Sequence, residues 1–377
     1  MKFIILIFWS LWYVNFASRS VVAPILPVIE DELSISHIVA GSLFLFRSIG
    51  FAAILLLAGF VSSRLGLKRS ILAGNCVLIV ALILVLYSKT YLFLAFALFL
   101  LGLGAGIYLP CAIPLITLIF QKGNWGKAIA FHETAASFSL FSIPLLTAFA
   151  LHFYQWRSFF AILAVACLLV TALFWTVAPE HRSETEKSSS LSGVLVLKNF
   201  WIISLLWTFA SMAHGGIYAI IPLFLVTERG MDLEFANSVL GISRIGGLFS
   251  TLLVGFILDR FKIRRILFFI FLGTGLATIG VALAKSFWLL TAMLLLQETF
   301  SFAFFPAALT AIARLTDPEQ RSAFTGATMA IAVIFGLGFS PVILGAVADN
   351  FNFQTGIFSL GLCITIACLS FRWLNDF

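Results

Sequence analysis

The amino-acid sequence predicts an all-α membrane protein of twelve spanning helices, arranged as two pseudo-symmetric six-helix bundles. Three observations carry that expectation. The chain is 62% hydrophobic and 10% charged, with 42 Phe among 377 residues; a soluble domain carries about 25% charged residues. Twelve apolar runs, at about 3–28, 37–62, 69–88, 91–120, 128–153, 157–178, 199–226, 236–258, 265–284, 287–313, 322–347 and 354–374, can each cross the hydrocarbon. That layer is about 30 Å thick and takes roughly 20 helical residues. Finally, the chain repeats itself at half its length. The turn Gly59-Phe60-Val61-Ser62-Ser63-Arg64-Leu65-Gly66-Leu67-Lys68-Arg69 returns 196 residues later as Gly255-Phe256-Ile257-Leu258-Asp259-Arg260-Phe261-Lys262-Ile263-Arg264-Arg265. Pro110 is echoed by Pro306 and Pro144 by Pro341. One repeat at half length predicts two homologous halves.

The first run begins at Phe3 and lacks a small-residue cleavage site, so it is expected to stay as a helix. Pro24 and Pro27 in the first run, Pro110 and Pro114 in the fourth, Pro222 in the seventh and Pro306 in the tenth break helices expected to line a central cavity. Gly102, Gly104 and Gly106 allow close backbone approach in the fourth. The long polar stretch 179–198 reads as a solvated linker. The organisation expected is therefore a bundle over 1–178, a cytoplasmic linker over 179–198 and a second bundle over 199–377.

Lys and Arg set the orientation. With the amino terminus inside, sixteen of the 23 fall in inner loops and only Lys89, Arg157, Arg229 and Lys285 in outer ones. Both termini are expected to be cytoplasmic, in a cell (inner) membrane. The net charge of +7 is spread in short clusters beside apolar runs, whereas nucleic-acid binding wants one continuous basic face. The five cysteines lie in apolar runs without metal-ligand spacing, so neither a metal nor a disulfide framework is expected. No nucleophile–base constellation or phosphate-cradling glycine loop points to an enzyme or to a cofactor.

Three arginines fall outside every loop: Arg19, Arg47 and Arg244. Charge in hydrocarbon costs at least ~2.5 kcal/mol per residue, so it faces a cavity or a partner. His214 joins them by alignment of the halves. Trp12, Arg19 and Pro27 match Trp207, His214 and Pro222, with the same eight residues from basic side chain to proline. Arg47 and Arg244 precede the two turn glycines by 12 and 11 residues. Four basic or potentially basic groups thus share a depth, and cations gathered with few acids attract an anion. An arginine adds a planar fork of donors suited to carboxylate or phosphate. The acids within the runs are Glu133 and Glu298; a desolvated carboxylate can exchange protons near neutral pH, which proton coupling requires. Pairing of these acids with the arginines is the alternative.

The repeated turn resembles the signature loop of the major facilitator superfamily, Gly-x-x-x-Asp-Arg-x-Gly-Arg/Lys-Arg/Lys between the second and third helices. The first copy keeps Gly59, Arg64, Gly66, Lys68 and Arg69, with Ser63 where the acid belongs; the second keeps Asp259 and Arg260, with Lys262 at the second glycine. The resemblance implies alternating access, with Ser63, Arg64, Asp259 and Arg260 in the inner gate. There Asp259 would brace the start of a helix in the opposite half, around Asn124–Ala128, and Ser63 could cap helix 11. Asn15-Phe16-Ala17-Ser18-Arg19, with Pro27 beyond, resembles the first helix of the anion:cation symporter branch, which implies a substrate-binding role for Arg19. Ser18 and Ala105 stand where that branch carries acids.

The leading expectation is a secondary transporter, without cofactor and monomeric in the bilayer, that takes up a small anionic solute with protons. Arg19, Arg47, His214 and Arg244 would hold substrate, and Glu298 and Glu133 the proton. The alternatives are proton-coupled drug efflux and organophosphate–phosphate exchange.

Overall fold

The computed structural model describes residues 2–180, 191–258 and 260–373. Asp259, expected in the inner gate, and residues 181–190 of the expected linker lie outside them. In chain order the helices of the first half are α1 (Lys2–Ser20), α2 (Leu26–Leu33), α3 (His37–Leu65), α4 (Leu67–Leu86), α5 (Tyr91–Gly106), α6 (Tyr108–Ile119), α7 (Trp125–Ala150) and α8 (Trp156–Val177). Those of the second are α9 (Leu191–Leu195), α10 (Lys198–Ser211), α11 (Ile217–Thr227), α12 (Leu233–Ser243), α13 (Ile245–Leu258), α14 (Ile263–Leu283), α15 (Phe287–Leu315), α16 (Pro318–Ala332), α17 (Ser340–Asn350) and α18 (Phe353–Ala367). Among the described residues, eleven segments are long and apolar enough to cross a membrane. The expected span over 236–258 is instead two helices, α12 and α13, jointed at Arg244.

Other spans are jointed too. The first stops at Ser20 and resumes at Leu26, because Pro24 offers no N–H; Pro27 then fits the first turn of α2, where none is needed. The fourth breaks at Ile107, between α5 and α6. Wider π-helical turns interrupt the seventh at Met212–Gly216 and the eleventh at Val333–Phe339. Irregular backbone at membrane depth survives only where protein or a watery cavity meets its polar groups. Arg19, Tyr108, His214 and Arg244 all sit at or beside such joints.

The chain forms two compact units, Met1–Ser34 with Phe46–Glu186, and Ile35–Leu45 with Lys187–Phe377. Ile35–Leu45 groups with the second because Asp349 accepts the N–H groups of His37 and Ile38 at 3.0 and 2.9 Å. Gly41 also lies so near Pro341 O that a Cβ there would come within 2.4 Å. The core of the first unit gathers Phe8, Trp12, Tyr108, Leu115 and Phe174; that of the second gathers Phe200, Trp207, Phe271, Phe304 and Phe324.

The half-length repeat reaches into polar detail. Thr90 and Ser286, 196 residues apart, both cap a helix, accepting from Phe93 N–H and Leu289 N–H; such a cap typically contributes about 1 kcal/mol. Glu32 accepts from Trp156 Nε1 at 2.7 Å and from Arg157, whose guanidinium also donates to Ser88 O. Its counterpart Glu228 accepts from the N–H groups of Phe353 and Gln354 at the start of α18, and Arg229 donates to Ala282 O. At each repeat an acid beside one helix end thus holds the start of another helix.

In the basic turn, Gly66 adopts φ +83°, a left-handed conformation that favours glycine. Ser63 is exposed and donates to Phe60 O within α3, and the Arg64 guanidinium lies 4.2 Å from the Phe60 ring centroid. Arg260 is exposed beyond α13.

Candidate substrate and coupling site

In the first unit the site grows from the end of α1. Arg47 Nη1 on α3 donates to Arg19 O at 2.6 Å, so a fixed positive charge meets the carbonyl end of that helix. Backbone contact fixes Arg47 itself: Gly102 of α5 lies against Arg47 O, where a Cβ would come within 2.0 Å. The Arg19 guanidinium is flanked by aromatic rings, with centroids at 4.2 Å (Phe16), 4.9 Å (Phe51) and 5.4 Å (Trp12). Its Nε and Nη2 atoms are buried and make no hydrogen bond. Those two nitrogens form one edge of the guanidinium, the edge that can grip a carboxylate through two parallel N–H bonds.

Beside Arg19 runs a polar relay. Tyr108, the first residue of α6, donates its hydroxyl to Phe8 O at 2.8 Å, and its oxygen lies 3.1 Å from His132 Nε2. His132 Nδ1 is 3.0 Å from Glu133 Oε1. His132 is fully buried, whereas the Glu133 side chain is 45% exposed. The Trp12 ring lies nearly parallel to both the Tyr108 and His132 rings, with centroids 5.3 and 5.6 Å away. Trp12 therefore touches the relay and Arg19 together.

In the second unit Arg244, buried at the α12–α13 joint, donates from Nη1 to Glu298 Oε2. His214, carried inward by the first π-helical turn, brings Nδ1 within 3.1 Å of the same oxygen. The Arg244 guanidinium also lies 5.2 Å from the Tyr218 ring centroid, and its Nε and Nη2 make no hydrogen bond. Gln297 donates to Ala213 O at 2.6 Å and so pins the π-helical turn that carries His214.

Glu298 is paired with an arginine, the alternative that the sequence left open. Arg244, His214 and Glu298 form one neutralising cluster, because a buried carboxylate without a partner would be very costly. Sequence reasoning missed Trp12, Phe16, Phe51 and Tyr108 as site residues. Aromatic side chains in an apolar run give no signal of their own, and only the fold brings them to Arg19 and His132. The side chains of Ser63 and Arg64 make their contacts with Phe60 of the same helix.

A jointed, twice-repeated bundle of apolar helices with charges buried at its joints defines a multi-pass membrane transporter. A family model described as the Major Facilitator Superfamily matches residues 9–297, and the chain belongs to that superfamily. It is a transporter, not an enzyme. A Bacillus subtilis (strain 168) protein named as a niacin/nicotinamide transporter, NiaP, is 22% identical over 86% of this chain and 83% of its own length. The hexuronate transporter of the same organism is 23% identical, covering 68% and 64% of the two chains. A multidrug resistance protein, MdtL, of Shewanella oneidensis is also 23% identical, covering 65% and 63%. Among solved structures, a D-xylose-proton symporter matches the fold with a TM-score of 0.83 at 16% identity, covering 99% of this chain and 98% of its own.

Proposed function

We infer that this protein is a secondary active transporter that works by alternating access and takes up a small organic anion, a carboxylate, together with protons. The carrying observation is the open edge of Arg19, two buried donors without a partner beneath an aromatic surround. In this reading Arg19 grips the carboxylate. Arg47 positions it and adds a second positive charge, and Arg244 and His214 are the candidate substrate-binding residues of the second half. Glu133 and Glu298 are the two acids near the site, and Ser63, Arg64, Asp259 and Arg260 belong to the inner gate. The excess of Lys and Arg in one set of loops supports an inner-membrane protein with both termini cytoplasmic. A monomer suffices for this mechanism.

Relatives named for niacin and for hexuronate accord with an acid substrate. The multidrug resistance relative supports a second reading, drug export. The test is a thermal-shift screen of the purified protein with nicotinate, glucuronate, inorganic phosphate and tetraphenylphosphonium. Stabilisation by a carboxylate that disappears in Arg19→Ala is expected. Stabilisation by the phosphonium cation alone, unchanged in Arg19→Ala, would replace this reading with drug export; a response to phosphate alone would favour phosphate exchange.

A further inference from the structure

We propose that the exchangeable proton of transport is held between His132 and Glu133, in a two-residue site anchored by Tyr108. The inference rests on the proton-coupled reading above and assigns the coupling role within it. It follows from counting hydrogens.

A tyrosine hydroxyl has one proton, and that of Tyr108 goes to Phe8 O. Toward His132 the Tyr108 oxygen can therefore only accept, so Nε2 carries a hydrogen. A neutral imidazole with hydrogen on Nε2 presents a bare lone pair at Nδ1. That lone pair would face Glu133 Oε1 at 3.0 Å, which is repulsive if Glu133 is ionised. The contact closes only with a proton in it, as imidazolium with carboxylate or as imidazole with carboxylic acid. Both forms hold the same single proton and are neutral overall. Its loss leaves a net charge of −1 and two acceptors face to face, so the contact must open.

The surroundings connect this switch to water and to the anion site. Glu133 is the accessible end and His132 the buried one, so in this proposal the proton enters at the carboxylate and leaves by the same atom, with no other bond changed. Among the described residues, the titratable and charged groups facing the pair from the packed helices are Tyr108 on α6 and Arg19 on α1, with Arg47 on α3 acting on Arg19. Tyr13 of α1 is engaged with Ser142, and Lys127 is exposed near the start of α7. The Trp12 ring packs against both His132 and Arg19, so the pair and the arginine lie against one side chain. A deprotonated pair therefore competes with an anion for Arg19, and a protonated pair releases Arg19 to the anion. Trp12, stacked on His132 and lying below Arg19, adds a mechanical link. Proton and anion are thereby bound together, which is the requirement for symport. In the second unit, Arg244 already compensates Glu298, so proton binding there would strand a buried arginine.

The experiment is 15N-histidine NMR of the full-length protein in detergent, with His132 assigned by loss of its signal in His132→Gln. In the wild type, the His132 signal should report hydrogen on Nε2 throughout and titrate at Nδ1. Glu133→Gln should lower the midpoint by at least one pH unit, because the carboxylate that favours the imidazolium is gone. Hydrogen on Nδ1 alone, or a midpoint unmoved in Glu133→Gln, overturns the proposal. A parallel transport arm in proteoliposomes measures nicotinate and glucuronate uptake against external pH. Glu133→Gln should flatten the pH dependence at least fivefold, and Glu133→Asp should restore part of it. Wild-type steepness retained in Glu133→Gln also overturns the site. Should neither acid be transported while the NMR titration behaves as expected, the anion reading fails and the proton site stands.

Discussion

The two units surround their buried arginines differently. In the second, Arg244 is met by Glu298 and His214 within one cluster, and the charges cancel. In the first, Arg19 is surrounded by the rings of Phe16, Phe51 and Trp12 rather than by a carboxylate, while Nε and Nη2 of both arginines make no hydrogen bond. A balanced cluster ties helices together; an arginine without a carboxylate is, in the function proposed above, the one that takes the ligand. The repeat therefore supplies one scaffold twice, and the choice of acid or aromatic neighbour at the buried arginine differs between the copies. The contrast predicts that comparable substitutions will fail in different ways.

The largest effect is expected on stability in the second unit. Arg244→Ala leaves Glu298 buried without its cation, which typically costs about 3–5 kcal/mol. A large fall in the thermal midpoint of the purified protein is the expected result. Arg244→Met combined with Glu298→Leu should recover most of it, because the pair leaves together. A single Arg244→Ala as stable as wild type would erase the contrast between the units.

Next comes function in the first unit. Arg19→Ala should cut carboxylate uptake by about 100-fold or more, since two charge-assisted hydrogen bonds are worth about 1.5–3 kcal/mol each. Its thermal midpoint should move little, because those bonds are unmade in the ligand-free protein. Arg19→Lys keeps the charge and loses the fork, so its uptake should fall between the two. Equal uptake by Arg19→Lys and wild type would show that charge alone is read there.

A smaller effect is expected where α2 meets the start of α8. The hydrogen bond from Arg157 leads in holding the Glu32 carboxyl below its ordinary range; burial opposes it, and Trp156 N–H adds to it. A depressed carboxylate contributes stability above its unfolded pKa, about 4.3 for Glu, and that contribution is lost as pH falls through the lowered folded value. Glu32→Gln should therefore lower the thermal midpoint slightly at pH 7, by a change worth about 0.2–1 kcal/mol for so exposed a pair. The difference should shrink below about pH 4. A gap that widened on acidification would show that Glu32 acts by something other than its charge.

Much of this molecule was legible in the sequence. Apolar runs longer than the hydrocarbon is thick must be helices, because no other element satisfies its own backbone there. The half-length repeat and the basic turns made the family visible, and arginines outside every loop marked where function should be sought. The neighbours of those arginines were decided only by tertiary structure. Glu298 lies 54 residues from Arg244, and Tyr108 lies 24 from His132. The joints at Pro24, Ile107, Met212–Gly216 and Arg244 set which side chains meet, and linear spacing does not encode those angles. A buried charge announces itself through its cost, whereas its partner is chosen by packing. The sequence therefore determined that charge would be buried at Arg19 and Arg244, and the fold alone decided that Arg244 would meet a carboxylate and Arg19 a surround of aromatic rings.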